Sequence, residues 1–218
     1  MCFRAKADSV FVFLCILWFA APAWAGTATS IAGLYTTGQE RHIENWWMSV
    51  DNHWTSSNAE GKAYVIGFPP SGWAASSSAK WISASPTGYP DMGVNYSYAL
   101  VFNVGGVGIG AVSNAVITLT LYVDDTATIL VNGAQAAVVN GSNLYANPTT
   151  LVLNSNFVIG ANTISIVVRN TGGASGLMVS SISGVVPETG AWLPLVAALG
   201  LVGWLRLRGR KHSLPAAV

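Results

Sequence analysis

Tryptophan supplies the clearest binding chemistry in this sequence of 218 residues. Flat indole rings stack on the apolar faces of sugars, and neighbouring Asn, Ser and Asp side chains can bond the sugar hydroxyls. Five tryptophans fall within residues 46–81. Four of them are candidates for carbohydrate contact, namely Trp46, Trp47, Trp54 and Trp73. The competing interpretation is core packing, because each indole buries a large area.

Catalytic groups are sparse by comparison. Residues 26–186 contain two histidines, His42 and His53, and no cysteine. A Ser-His-Asp set could be drawn from His53, Asp51 and a serine, but serines are abundant and no Gly-x-Ser-x-Gly elbow occurs. Geometry rather than composition defines a triad. We therefore assign no catalytic residue and predict a protein that is not an enzyme.

The acidic residues do not define a glycosidase. Such an enzyme needs two acids held on opposite sides of a sugar bond. Glu40 and Glu44 are four residues apart and would lie side by side on a helical turn. Together with Arg41 and His42 they indicate a solvated face. A secreted hydrolase acting on glycans or esters remains the alternative function.

Residues that could bind a metal or a cofactor are equally few. Asp124 and Asp125 precede a predicted strand, and Asp91 follows Tyr89-Pro90 in a predicted loop. Loops of β-sandwiches can supply the oxygens that calcium requires, so a structural calcium ion is one interpretation of these acids. The favoured interpretation is that they cap turns through backbone amides. Two histidines without further ligands do not predict zinc, and no cofactor is predicted.

Charge is scarce between residues 26 and 186. This segment of 161 residues carries four basic and seven acidic side chains, a net charge of −3. Nucleic-acid binding is not expected, because it requires a strong basic patch. Ser, Thr, Asn and Gly provide a polar surface with few ions, which suits contact with neutral polysaccharides.

The N-terminus has the layout of a secretory signal peptide. A short basic region precedes an apolar run over residues 10–21, and Ala23 and Ala25 flank Trp24 in a small-x-small pattern. This predicts export and cleavage after Ala25. Both cysteines of the sequence fall within this segment, so the mature protein is predicted to have no disulfide.

The C-terminus has the layout of a second targeting signal. Val186-Pro187-Glu188-Thr189-Gly190 is followed by an apolar run over residues 191–205 and by four positive charges within residues 206–211. The apolar run predicts a transmembrane helix, and the basic end favours the cytoplasmic side.

This arrangement resembles the PEP-CTERM sorting signal of exported proteins from Gram-negative, exopolysaccharide-producing bacteria. The resemblance rests on Pro187 and Glu188, with Thr189 in place of the usual proline, and on the small-residue-rich helix with its basic end. It implies an exosortase-like processing enzyme, the export machinery and transient inner-membrane anchoring, followed by release to the cell surface or matrix. The same residues, VPETG, also resemble the LPxTG signal, which would imply sortase-type wall anchoring.

Alternation of apolar with polar side chains marks the middle of the chain as all-β. Ile117–Val123 and Thr163–Arg169 both alternate in this way, which is typical of strands with one buried face. Turn signals such as Gly88-Tyr89-Pro90-Asp91 and Asn132-Gly133 separate the segments. Six further strands are predicted, over Ala63–Phe68, Lys80–Ser83, Tyr96–Val104, Ala127–Val131, Thr150–Leu153 and Leu177–Ile182. Many short strands with frequent turns predict a β-sandwich.

Two motifs within this region resemble the galactose-binding-like jelly-roll. One is the hairpin from Asp124-Asp125 to Asn132-Gly133, and the other is the Phe-x-x-Gly-x-Asn-x-Ile pattern over residues 157–164. A wider similarity to the ectodomains of PEP-CTERM proteins covers most of residues 33–184. It is carried by GLYTTG, DNHW, SGW, AKWIS, the DDT…NG hairpin and RNTGGASGL, in that order.

The sequence thus predicts four segments. They are a signal peptide at 1–25, a jelly-roll β-sandwich ectodomain at 26–186, a sorting signal at 187–211 and a tail at 212–218. The favoured function is a non-enzymatic component of the cell surface or exopolysaccharide matrix that binds carbohydrate, with exopolysaccharide as the candidate partner. A purely structural spacer is a third interpretation.

Overall fold

Strands account for all the regular structure in the computed structural model, which describes residues 28–42, 48–105 and 115–187. These residues belong to one compact unit, Ala28–Pro187. Among them, no helix is long and apolar enough to cross a membrane. The predicted signal peptide, the apolar run at 191–205 and the sorting residues Glu188 and Thr189 lie outside the described residues.

Twelve strands are present in the described ranges, and most are antiparallel neighbours of strands distant in the chain. They are β1 Thr29–Ser30, β2 Glu40–His42, β3 Ser49–Ser56, β4 Lys62–Val65, β5 Ile82–Ser83, β6 Asn95–Val104, β7 Val116–Asp124, β8 Thr126–Val131, β9 Ala134–Val139, β10 Thr149–Leu153, β11 Gly160–Arg169 and β12 Gly176–Val186.

The strands form a continuous sheet that folds over on itself. Its order is β10-β7-β12-β5-β4-β3-β6-β11-β8-β9, with β1 beside β12 and β2 beside β3. The end strands β9 and β10 come into contact, so the sheet nearly closes. Inward side chains of β7 and β12 share one hydrophobic core with those of β6, β8 and β11. The fold is therefore an all-β sandwich.

Alternating burial explains why these segments are strands. On β7, Ile117, Leu119 and Leu121 are fully buried, while Thr118 and Thr120 between them are partly exposed. On β11, Ile164, Ile166 and Val168 are fully buried, while Thr163, Ser165 and Val167 between them are partly exposed. Period-two burial of apolar side chains removes one face of each strand from water and leaves the other wet.

All eight strands predicted from the sequence correspond to observed strands, with shifted ends. Phe68 is the largest departure, because it is 96% exposed on a loop beyond β4 rather than inside a strand. Glu40 is another departure from the predictions, because it lies on strand β2. The expectation that Glu40 and Glu44 lie side by side on a helical turn is therefore wrong at Glu40. Glu44 lies outside the described residues.

Four strands had not been predicted, and β3 is the longest of them. Its residues, SVDNHWTS, lack regular alternation because the strand carries an irregularity between Val50 and Thr55. Asp51 stabilises that irregularity, since its carboxylate accepts hydrogen bonds from the main-chain N–H groups of Gly38, His53 and Trp54 at 2.5, 2.8 and 2.9 Å. A bulged strand of this kind hides its period from the sequence.

The GLYTTG segment, residues 33–38, joins the residues just before β5 to β12. The Thr37 hydroxyl donates to the carbonyl of Lys80 and accepts from the main-chain N–H of Val179. The next residue, Gly38, has a φ of 86°, and a side chain there would overlap Lys80. Glycine is therefore required at this position on both counts.

Several loops gather at one end of the sandwich. The register pairs Arg169 with both Asn95 and Thr126, and pairs Gly176 with Asp124. The β5–β6, β7–β8 and β11–β12 connections therefore lie at the same end. The β3–β4 loop joins them, because Ser56 pairs with Tyr98 near the start of β6. This end positions the candidate site.

Candidate functional site

An open groove with a volume of about 410 Å³ lies between the β3–β4 and β5–β6 loops. Its walls combine aromatic, hydroxyl, amide and carboxylate groups with a few small apolar residues. The lining residues are Ser57, Asn58, Ala59, Ala84, Ser85, Tyr89, Pro90, Asp91, Val94 and Tyr96. We refer to this cavity as the loop groove.

A buried asparagine fixes one wall of the loop groove. The Asn170 side chain is fully buried and donates to the carbonyls of Pro90 and Asp91 at 3.0 and 3.2 Å. Its main chain accepts from Gly93 N–H at 2.8 Å and donates to the Val94 carbonyl at 3.1 Å. Four hydrogen bonds thus hold the β5–β6 loop against the β11–β12 loop.

A second amide fixes the opposite wall. The Asn58 side chain donates to the carbonyls of Lys62 and Ala84, both at 2.8 Å, and accepts from the Lys62 N–H at 2.9 Å. Between the walls, the buried Tyr96 hydroxyl accepts from the Asp91 N–H at 3.0 Å. The backbone around the groove is therefore held in place before any ligand arrives.

The exposed surface of the groove suits a sugar. Tyr89 is 59% exposed, although aromatic side chains are commonly more buried, and its ring offers an amphipathic platform. Ser85 and Ser57 add hydroxyl groups: the first bonds the Thr87 hydroxyl at 2.9 Å, and the second accepts from the Ser97 N–H at 2.9 Å.

Asp91 contributes an unpaired carboxylate. Within the part of the chain that the structure describes, its side chain has no hydrogen-bond or ion-pair partner, and it is exposed on the groove wall. The sequence predicted that this residue lies in a loop after Tyr89-Pro90, and the structure places it in the β5–β6 connection. The sequence gave no sign that this loop forms a groove wall, because the partner that fixes it, Asn170, is distant in the chain.

Two of the tryptophans predicted to contact carbohydrate, Trp54 and Trp73, are described by the structure and do not line the loop groove. Trp54 is 1% exposed, and its indole N–H donates to the Tyr35 carbonyl at 2.9 Å, so its ring belongs to the core and offers no face to a ligand. Trp73 is partly exposed and packs on Trp81 with ring centroids 4.0 Å apart. Trp46 and Trp47 lie outside the described residues.

The Asp124–Asp125 corner connects Trp73 to the β11–β12 loop. The Trp73 indole N–H donates to Asp124 Oδ2 at 2.9 Å, and Asp125 Oδ2 accepts from both the N–H and the hydroxyl of Thr171. Burial is the main cause of a raised pKa of about 7 at Asp124. The hydrogen bond and negative charge of Asp125 raise the pKa as well, while the Trp73 bond lowers it.

The two acids therefore bond distant protein groups, Asp124 the Trp73 side chain and Asp125 the β11–β12 loop, rather than the amides of their own turn. Neither they nor Asp91 belong to a metal-binding group, since the described residues contain no cluster of three or more His, Cys, Asp or Glu side chains.

The residues suggested for a triad are used differently. The Asp51 carboxylate is bonded to main-chain amides, including the main-chain N–H of His53 rather than its ring. The His53 ring stacks on Tyr35 with centroids 3.6 Å apart and planes 8° apart. Asp51 and His53 thus stabilise the local fold.

Comparison with known proteins adds a set of distant structural likenesses. No family model matches the chain, and no curated protein does. A mutant of a family 29 carbohydrate-binding module is 12% identical, with 74% of this chain and 93% of that one covered and a TM-score of 0.41. A family 35 carbohydrate-binding module from an environmental isolate is 15% identical, with coverages of 60% and 90% and a TM-score of 0.37.

A third likeness is to an enzyme. The Stig cyclase Fisc from Fischerella sp. TAU is 11% identical, with 73% of this chain and 98% of that one covered and a TM-score of 0.45. All three identities and TM-scores are too low to carry an argument about function.

Proposed function

We propose that this protein is an exported, non-enzymatic surface protein that binds carbohydrate in the loop groove. The observation that carries the proposal is the groove itself, with the exposed ring of Tyr89 beside the unpaired carboxylate of Asp91. A ring that stacks on the C–H face of a sugar, next to acceptors for its hydroxyls, is the chemistry that sugar recognition requires.

The size and rigidity of the groove support this function. A volume of about 410 Å³ falls within the usual range for small-ligand sites. The amides of Asn58 and Asn170 fix both walls, so binding a ligand would cost little ordering of the loops. The open side leaves room for a chain that continues beyond the bound unit.

A glycoside hydrolase is not favoured by the same groove. Hydrolysis needs two carboxyl groups on opposite sides of the bond. Among the described lining residues, Asp91 is the one carboxylate. The groove therefore has the composition of a binding site.

Isothermal titration of the full-length protein with neutral oligosaccharides of four or more units tests the proposal. We expect saturable heat with one site per chain and a dissociation constant in the micromolar to millimolar range, because one stacked ring and a few hydrogen bonds hold the ligand. Absence of binding to the whole panel, including the polysaccharide of the producing organism, would contradict the proposed function.

The type of β-sandwich and the cellular location of the protein are part of the same proposal. The sandwich is of the galactose-binding-like jelly-roll type, as the Asp124–Gly133 and 157–164 motifs suggest. The chain is exported through its signal peptide, and an exosortase-like enzyme processes it at Pro187, Glu188 and Thr189. Support comes from the order of motif, apolar run and basic end in the sequence. Sortase-type anchoring through VPETG is the competing route.

A further inference from the structure

We propose that the loop groove prefers glycans that carry a free, protonated amino group, such as hexosamines without an N-acetyl group. The inference rests on the proposed function, because it names the ligand class of the same groove. Three observations support it: the partners of the acidic side chains, the lack of basic side chains among the residues that line the groove, and the exposure of Asp91.

The acidic side chains of the domain are almost all occupied. Six are described by the structure, and five of them bind other protein groups. Glu40 binds Lys80, Asp51 binds main-chain amides, Glu60 binds Lys62 and Tyr64, Asp124 binds Trp73, and Asp125 binds Thr171. The sixth is Asp91, which lines the groove. Its lone pairs are therefore available to a ligand.

No basic side chain balances this charge at the groove. The lining residues include no Lys, Arg or His. Two basic residues lie beside the lining segments in the chain or the sheet: Lys62, which already bridges to Glu60 at 3.0 Å, and Arg169, which pairs with Asn95 in the sheet and does not line the groove. An anionic sugar, such as a uronate, would meet a like charge, whereas an ammonium group would meet an opposite one.

We expect the preference for the amino sugar over the N-acetylated sugar to be modest. A hydrogen bond from an ammonium group to a carboxylate is shorter and stronger than one between neutral groups. Asp91 is exposed, however, so water and salt weaken the attraction, and exposed ion pairs contribute little. This gives up to about a fivefold gain in affinity over the N-acetylated sugar. Stacking on Tyr89 is common to all the sugars.

Titration of the full-length protein with three tetrasaccharides tests the inference. The probes are the tetramers of glucosamine, N-acetylglucosamine and galacturonic acid, at mildly acidic pH and low salt, where the amine is protonated. We expect the glucosamine tetramer to bind tightest and the galacturonate tetramer weakest. The difference should shrink in 0.5 M NaCl, because salt screens exposed charges.

Two variants separate charge from fold. Asp91→Asn keeps the shape of the side chain and is expected to abolish the preference for the amine, while the N-acetylated tetramer still binds. Glu40→Gln removes a carboxylate that is paired with Lys80 away from the groove, and the preference is expected to persist.

The outcomes distinguish the inference from the function on which it depends. Equal binding of all three tetramers, or an unchanged preference in Asp91→Asn, overturns the inference and leaves carbohydrate binding intact. Tightest binding of galacturonate overturns the inference in the same way. If none of the tetramers and no neutral glycan binds, both the inference and the proposed function are wrong.

Discussion

Three aspartates show how one residue type takes on different chemistry in different surroundings. Asp51 is almost fully buried and accepts hydrogen bonds from three main-chain N–H groups. Asp124 is partly buried beside Asp125 and bonds the Trp73 indole. Asp91 is exposed and unpaired among the described residues. Of the three, Asp91 is the one whose carboxylate makes no hydrogen bond to the described protein and is open to solvent.

Asp124 predicts a pH dependence of stability. Its pKa is raised from 3.8 to about 7, so between these values the folded protein binds more protons at this site than the unfolded chain. The contribution of Asp124 to stability is therefore greatest at acidic pH and is lost as pH rises to about 7. Asp124→Asn keeps an acceptor for Trp73 without the charge, and we expect it to stabilise the protein at pH 8 but not at pH 4.

Urea unfolding of the full-length protein at both pH values measures this effect. Asp91→Asn is the matched control, since its carboxylate is exposed, and it should change the free energy of unfolding little at either pH. An Asp124→Asn variant with the same stability difference from the wild type at pH 4 and pH 8 would contradict the raised pKa.

At the scale of elements, the sequence predicted strands where alternation is regular and failed where it is not. β7 was predicted to within one residue of both observed ends, and β11 was predicted to its observed C-terminal end but three residues short at its start. The bulged β3 was missed, as was β9, whose residues AQAAVV sit mainly at the surface of an end strand and show no clean period.

The candidate site was only partly visible in the sequence. Gly88-Tyr89-Pro90-Asp91 does separate two strands, as predicted, but the structure has a bend at Gly88 and irregular backbone at 89–91 rather than a turn there, and the groove depends on pairings between segments far apart in the chain. The clustering of tryptophan in the sequence predicted that Trp54 contacts carbohydrate, but Trp54 packs in the core. Composition cannot separate an aromatic ring that stabilises a core from one that faces a ligand; exposure does.

The β11–β12 loop is predicted to control binding without contacting the ligand. Asn170→Ala removes the two bonds to the Pro90 and Asp91 carbonyls and leaves buried polar groups without partners. We expect a loss of about 2 kcal/mol in the free energy of unfolding. We also expect at least a fivefold loss of glycan affinity, because the loop carrying Tyr89 must then be ordered on binding.

Asn147→Ala provides the control for that experiment. Asn147 also bonds a carbonyl through its side chain, but it is exposed on the loop between β9 and β10. This variant should bind glycan like the wild type. If Asn170→Ala loses stability yet keeps full affinity, the groove is not preorganised by the loop.

For the whole molecule, the low charge is a property of the domain itself, whereas the apolar excess belongs to the ends. Residues 26–186 carry eleven charged side chains, and both termini are strongly apolar. A domain surface that is polar but has few charged side chains stays hydrated and offers hydrogen-bonding groups. Such a surface is suited to neutral or weakly charged glycans, in agreement with the groove.

Processing of the two ends is the prediction at this scale. The full-length gene product, expressed in an exopolysaccharide-producing Gram-negative host, is expected to begin at Gly26 and to end near Pro187–Gly190. Intact-mass spectrometry of the mature protein measures both ends. Retention of the 191–205 segment in every mature chain would contradict exosortase-like processing.

The central claim is that the loop groove binds carbohydrate. It is tested most directly by titrating the same tetrasaccharide, in parallel, into two variants of the protein. Tyr89→Ala removes the exposed ring in the groove, whereas Phe68→Ala removes an even more exposed ring that does not line it. We predict at least a tenfold loss of affinity for Tyr89→Ala and wild-type affinity for Phe68→Ala. Unchanged binding by Tyr89→Ala would contradict the account.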